Sequence, residues 1–182
     1  MRRSIALLAV AAVAAAAPLG AQSGFALKGH YVFNESEVRE GDTDRLPVSD
    51  GFSLGAELVL PFGVGVGLTG YTTGRVTEFE RETTSFGVLG EANYFLRLPV
   101  IPLTPYAGVH AGLGKYKVDD LDDPDPEFKD DRNQLGWQAG VRWQINSLLG
   151  VDAQFRRVSE SAAEGQDDRF ERSQFLLGVT LF

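Results

Sequence analysis

The sequence predicts an all-β fold, an eight-stranded antiparallel up-and-down barrel of the transmembrane kind. Three observations predict it. Apolar and polar residues alternate with a period of two in eight separate segments, the mark of strands with one apolar and one polar face. The links between these segments alternate between short turns and long charged loops. Beyond residue 22 there is no other long apolar run and no helical period.

The first element is not part of the barrel. Residues 1–23, MRRSIALLAVAAVAAAAPLGAQS, carry two arginines, an apolar run from Ile5 to Ala17, a breaker at Pro18 and a small residue at Ala21. That is the layout of a secretory signal peptide. The run is 13 residues long, short of the roughly 20 a spanning helix needs. The expected division is therefore a signal peptide over residues 1–21, cleaved near Ala21, and a barrel domain over 22–182. Losing Arg2 and Arg3 takes the net charge from −8 to −10. A chain this acidic is not expected to bind nucleic acid. It has no cysteine, so no disulfide framework and no thiolate metal site.

The strands follow in order. Phe25, Leu27, Gly29, Tyr31 and Phe33 mark the first, and Phe52, Leu54, Ala56, Leu58 and Leu60 the second. Val64, Val66 and Leu68 mark the third, and Phe86, Val88, Gly90, Ala92, Tyr94 and Leu96 the fourth. Ala107, Val109, Ala111 and Leu113 give the fifth, and the stretch QLGWQAGVRWQI (134–145) the sixth. Leu149, Val151, Ala153 and Phe155 give the seventh, and Phe175, Leu177, Val179 and Leu181 the eighth. Most reach the ~9–11 residues that a tilted membrane strand needs.

The connections are PFG, PVIPLT and NSL after strands two, four and six, and long charged segments after one, three, five and seven. Short turns at one end and long loops at the other is the pattern of bacterial outer-membrane barrels. Residues 35–50, 74–84, 115–133 and 157–173 carry net charges of −4, −1, −4 and −2. The strand charges Lys28, Glu57, Glu91, Arg97, Arg142, Asp152 and Arg156 all fall on the non-apolar parity. With His110 they form the expected polar cluster of the lumen. Tyr71, Phe95 and Tyr106 are expected to fill the same space, with Gly65, Gly67, Gly108, Gly112 and Gly114 leaving room. The apolar parity would carry two aromatic belts: Phe25, Phe62, Tyr94 and Trp143 at the short-turn end, and Tyr31, Phe33, Phe52, Phe86, Trp137 and Phe155 at the loop end.

A tight turn at Asn146–Leu148 predicts register. It sets Ile145 opposite Leu149, Trp143 opposite Val151, Val141 opposite Ala153 and Ala139 opposite Phe155, apolar pairs on one face. The same register sets Gln138 opposite Arg156, Gln144 opposite Gly150 and Arg142 opposite Asp152, an expected ion pair.

On these residues the chain resembles the small eight-stranded outer-membrane β-barrels of the OmpA/OmpX-like family, over about residues 24–182. TPYAGVHAGLGKY (Thr104–Tyr116) is similar to the family's Pro-Tyr-x-Gly-x-x-x-Gly-x-Gly strand, and FLLGVTLF ends on a terminal aromatic, Phe182. The resemblance implies an outer-membrane location. It implies contact with outer-membrane lipid and lipopolysaccharide, and recognition by the barrel-assembly machinery through the last strand ending at Phe182. In one respect the chain departs from the pattern: Phe182 is out of phase with Phe175, Leu177, Val179 and Leu181.

Chemistry is not expected. Some barrels of this kind act on lipid A, which would require His with Ser and an acid near the outer rim. His30 and His110 both fall mid-strand on the lumen parity, and Ser159 and Ser161 flank Glu160 with no base nearby. No cofactor is implied. Asp119–Asp131, DDLDDPDPEFKDD, offers hard oxygen ligands and so weak divalent-cation association, but lacks the spacing of a dedicated calcium loop. The expectation is a monomeric structural or surface-interaction barrel. The alternative is a soluble lipocalin-like carrier, which would line its cavity with the apolar parity.

Overall fold

The structure, a computed structural model, describes residues 24–37, 49–74, 76–78, 81–98, 101–120, 127–162 and 169–182. The expected signal peptide lies outside them. The strands are β1 (Gly24–Glu37), β2 (Gly51–Val59), β3 (Val64–Thr73), β4 (Val76–Glu78), β5 (Arg81–Phe95), β6 (Leu103–Asp120), β7 (Glu127–Gln144), β8 (Leu149–Ala162) and β9 (Arg169–Leu181). Both β3 and β4 pair with β5, so together they form one stave, and the barrel has eight. Staves adjacent in sequence pair antiparallel throughout. The ring closes where β1 meets β9, from Leu27 opposite Leu181 to Glu37 opposite Glu171. A closed ring leaves no unpaired edge, a requirement for strands crossing lipid.

The short turns are locally specified. Asn146 Oδ1 accepts hydrogen bonds from the backbone N–H of Leu148 and Leu149, both at 2.8 Å, an Asx turn that starts β8. In the β2–β3 turn Gly63 has φ +89°, a left-handed conformation suited to glycine. Its carbonyl receives the Phe95 N–H at 2.7 Å. The β7–β8 register follows from the turn: Trp143 lies opposite Val151, Arg142 opposite Asp152 and Gln138 opposite Arg156. These are the pairs that the sequence pattern requires.

Trp143 and Arg142 settle which face points where, because Trp143 is 50% exposed and its neighbour 1%. The apolar parity lies outside all round. Phe25, Phe62 and Tyr94 are exposed at the turn end, and Tyr31, Phe33, Phe52, Phe86, Trp137, Phe155 and Phe175 at the loop end. Tyr31 packs edge-on against Phe33 and Phe52, Phe33 lies 6.2 Å from Phe175, and Trp137 lies 5.5 Å from Phe155. Between the belts Leu54, Leu68, Val88, Val109 and Leu177 are also exposed. Monomers in water rarely expose contiguous apolar patches above a few hundred Å². A continuous apolar band therefore fits a lipid solvent. The alternative of a carrier lined by the apolar parity is not favoured, since that parity is outside. The buried apolar cluster is correspondingly small: Val59, Phe95 and Tyr106.

The strands run further than the alternation suggests. β6 and β7 are 18 residues each, and pair out to Asp119 opposite Glu127. Much of Asp119–Asp131, expected as loop, is therefore strand; only residues 121–126 fall outside the described set. The physical reason is that backbone pairing needs no apolar face: the hydrogen-bond ladder runs on where the sequence carries no apolar period to mark it.

Candidate functional site

Alternation sends one parity of every strand inward, and on this chain that parity is charged. Lys28 and His30 come from β1, Ser53 and Glu57 from β2, and Glu91 and Asn93 from β5. His110 comes from β6, Gln138 and Arg142 from β7, and Asp152, Gln154 and Arg156 from β8. All are buried. Isolated charges there would be costly, so they are paired.

The pairing forms one chain. Arg156 Nη2 lies 2.7 Å from Glu91 Oε1, and Lys28 Nζ 2.6 Å from Glu91 Oε2 and 3.6 Å from Glu57 Oε1. Arg142 joins two carboxylates, with Nη2 2.9 Å from Glu57 Oε2 and Nε 2.9 Å from Asp152 Oδ2. Three cations thus face three carboxylates, and their formal charges cancel. Amides complete this tier. Asn93 donates to Glu57 Oε1, Gln138 to Asn93 Oδ1 and Gln154 to Gln138 Oε1. Tyr106 donates its hydroxyl to Asp152 Oδ1 at 2.7 Å.

Of the residues expected in the lumen, Lys28, Glu57, Glu91, Arg142, Asp152 and Arg156 meet in this chain. His110 is buried, seated over Gly136, where a Cβ would lie 2.7 Å from its Nε2. Arg97 is not in the cluster, and the expectation is corrected there. β5 ends at Phe95, so the strand no longer aims position 97 into the barrel. Its guanidinium instead bonds the carbonyls of Pro61 and Leu60 at the turn end.

A second tier was not legible as a site. Glu160 on β8 accepts from Tyr116 on β6, from Gln134 on β7 at 2.8 Å and from Arg172 on β9 at 2.7 Å. Gln134 also donates to the Tyr71 hydroxyl on β3. Arg172 lies over the Tyr71 ring and Arg132 over the Tyr116 ring. Glu160 and Arg172 fall in segments that the sequence assigns to loops. Their parity was the available signal: 152, 154, 156, 158 and 160 all point inward.

Glycines make the space. A Cβ at Gly114 would lie 2.7 Å from the Tyr71 hydroxyl, and one at Gly140 2.6 Å from that of Tyr106. At Gly140 the new methyl also meets the Ala153 carbonyl at 2.7 Å, so the ring cannot simply step aside. Gly140→Ala is expected to destabilise the barrel by about 1–3 kcal/mol, the range for overpacking. Urea titration of the protein in micelles, read by the mobility of unboiled samples, measures it.

One constellation resembles a catalytic one. Ser53 Oγ lies 3.4 Å from His30 Nδ1, and His30 Nε2 3.5 Å from Asp152 Oδ1. Both distances are long for strong bonds. Ser53 is 2% exposed, and Asp152 already serves Arg142 and Tyr106. Among the described residues no group of three or more His, Cys, Asp or Glu is placed to hold a metal ion.

Solved structures share the architecture. Neisserial surface protein A superposes with a TM-score of 0.66 at 16% identity, covering 87% of this chain and 97% of that one. Ail, the attachment invasion locus protein of Yersinia pestis, gives 0.55 at 16% identity, covering 88% and 99%. The outer membrane protein OprG of Pseudomonas aeruginosa gives 0.57 at 12% identity, covering 89% and 97%. At such identities the likeness is one of fold. No curated protein sequence matches the chain. The sequence family of the outer membrane protein beta-barrel domain matches residues 4–181. With its apolar outside, its charged inside and a match across almost its whole length, the chain belongs to the outer membrane protein beta-barrel domain family.

Proposed function

We propose that this outer-membrane barrel works as an anchored surface scaffold: its lumen is closed by its own side chains, and its long acidic loops face the cell exterior. Its role is structural or one of surface interaction rather than catalysis. The observation that carries the reading is the neutral ion-pair chain across the lumen, Arg156–Glu91–Lys28–Glu57–Arg142–Asp152. An eight-stranded barrel has an interior that side chains just fill. Here they are bonded to one another, and a permeant solute would have to break those bonds. In this reading the chain is Sec-exported, cleaved near Ala21 and monomeric. Its partners are lipid and lipopolysaccharide around the belts, the assembly machinery at the last strand, and divalent cations held weakly by the acidic loops.

Two measurements test it. The protein should stay in the outer-membrane fraction through a high-salt wash and migrate differently on gels when unboiled, because a closed barrel offers no edge at which to unravel. Release by salt would defeat the anchored reading. Planar bilayers with purified protein should show no stable porin-sized conductance. A steady large conductance would defeat the closed-lumen reading.

A further inference from the structure

We infer that the C-terminal residue, Phe182, is the floor of the lumen: its ring seals the turn end of the barrel from inside. The inference rests on the closed-lumen reading and says which residues do the closing. Phe182 follows β9 on the inward parity of Leu176, Gly178 and Thr180, whereas Phe175, Leu177, Val179 and Leu181 are exposed outside. Its N–H bonds the Leu148 carbonyl at 3.0 Å, which continues the β8–β9 ladder to the last residue. The ring is therefore held by backbone pairing.

Three aromatic rings surround one guanidinium at this level. Arg142 Cζ lies 4.9 Å from the centre of the Phe95 ring, 5.8 Å from that of Tyr106 and 5.9 Å from that of Phe182. Each ring sits over a glycine of the neighbouring strand. A Cβ at Gly65 would lie 2.7 Å from Phe95 Cε2, one at Gly140 2.6 Å from Tyr106 Cζ, and one at Gly150 3.2 Å from Phe182 Cε2. Val59 completes the layer. The result is an aromatic tier immediately below the ion pairs. Rings keep water off the Arg142–Asp152 pair, and the guanidinium gains from the ring faces. The out-of-phase terminal aromatic thus closes the barrel from within, and the outward row of the last strand is aliphatic below Phe175.

The chain has no cysteine, so one introduced thiol reports on access. Thr180→Cys places it two residues before the ring, at an inward site that is 0% exposed. The full-length protein is refolded into detergent micelles, which bypasses assembly in the cell. It is then treated with a small cationic methanethiosulfonate, and the unboiled band confirms folding. With Phe182 intact the thiol should react slowly. F182A should speed labelling on the order of tenfold or more, as expected when a half-buried ring is lost from the tier, and F182Y should keep it slow. F95A removes a ring from the same tier and leaves the terminus alone, so it decides the matter if F182A does not fold. Slow labelling in a folded F182A, or in F95A where F182A does not fold, overturns the floor while the closed lumen stands. Fast labelling with every ring intact overturns the closed lumen itself, and the floor with it.

Discussion

Arg142→Ala is expected to cost the barrel about 3–5 kcal/mol, the range for removing one partner of a truly buried ion pair. Arg142 is 1% exposed and holds both Glu57 and Asp152 at 2.9 Å. Its loss leaves two carboxylates with fewer donors. Lys28 still stands 3.6 Å from Glu57, and Tyr106 still donates to Asp152, which keeps the loss within that range. Asp152→Ala should cost less, because the arginine it frees retains Glu57. A double-mutant cycle between the two isolates their coupling. Water entering the lumen would screen it, so a coupling near zero would mean that the pair is wet or absent. Arg142→Met is the informative companion. It keeps bulk among the three rings but still strands the carboxylates, so it should rescue little. Substantial rescue would assign the effect of Arg142 to packing instead of charge.

Leu177→Arg tests the opposite face and should cost about 2–4 kcal/mol if that position lies near the bilayer midplane. Leu177 is exposed, and lies between Tyr31 on β1 and Ala153 on β8. Facing water, the same change would stay within about ±0.5 kcal/mol, as surface substitutions do. Refolding into lipid vesicles and titrating with urea separates the two values. Moving the charge along the strand adds a depth profile. Phe175→Arg, in the aromatic belt at the loop end, should cost less than Leu177→Arg, because a long side chain near the interface can reach water. A flat profile would place the apolar face against something other than a bilayer.

Both expectations depend on the facing of Arg142 and Leu177, and that facing was legible in the sequence. A period of two fixes which residues share a face, and a tight turn fixes which residues oppose each other. Arg142 could be set against Asp152 from the chain alone because ten residues and one short turn separate them. The same reasoning gave the strand count and the belts. It overreached at Arg97, where alternation was extended past a strand end. It stopped short at Glu160 and Arg172, where strands leave the bilayer and the period fades.

Read along the chain, the residues assign the inward set on each strand and the pairing across short turns. Which inward residues meet across the barrel follows from the closed fold. Lys28 reaches Glu91 from 63 residues away, and Arg142 reaches Glu57 from 85. Phe182 likewise looks like a misplaced lipid-facing aromatic until the closed ring places it under Arg142. The physical reason is geometric. Alternation and turns are local properties of a chain, carried by neighbouring residues. A contact across the lumen depends on the closure of the ring, on the heights at which tilted strands set their side chains and on the glycines that make room. Those quantities belong to all eight staves together.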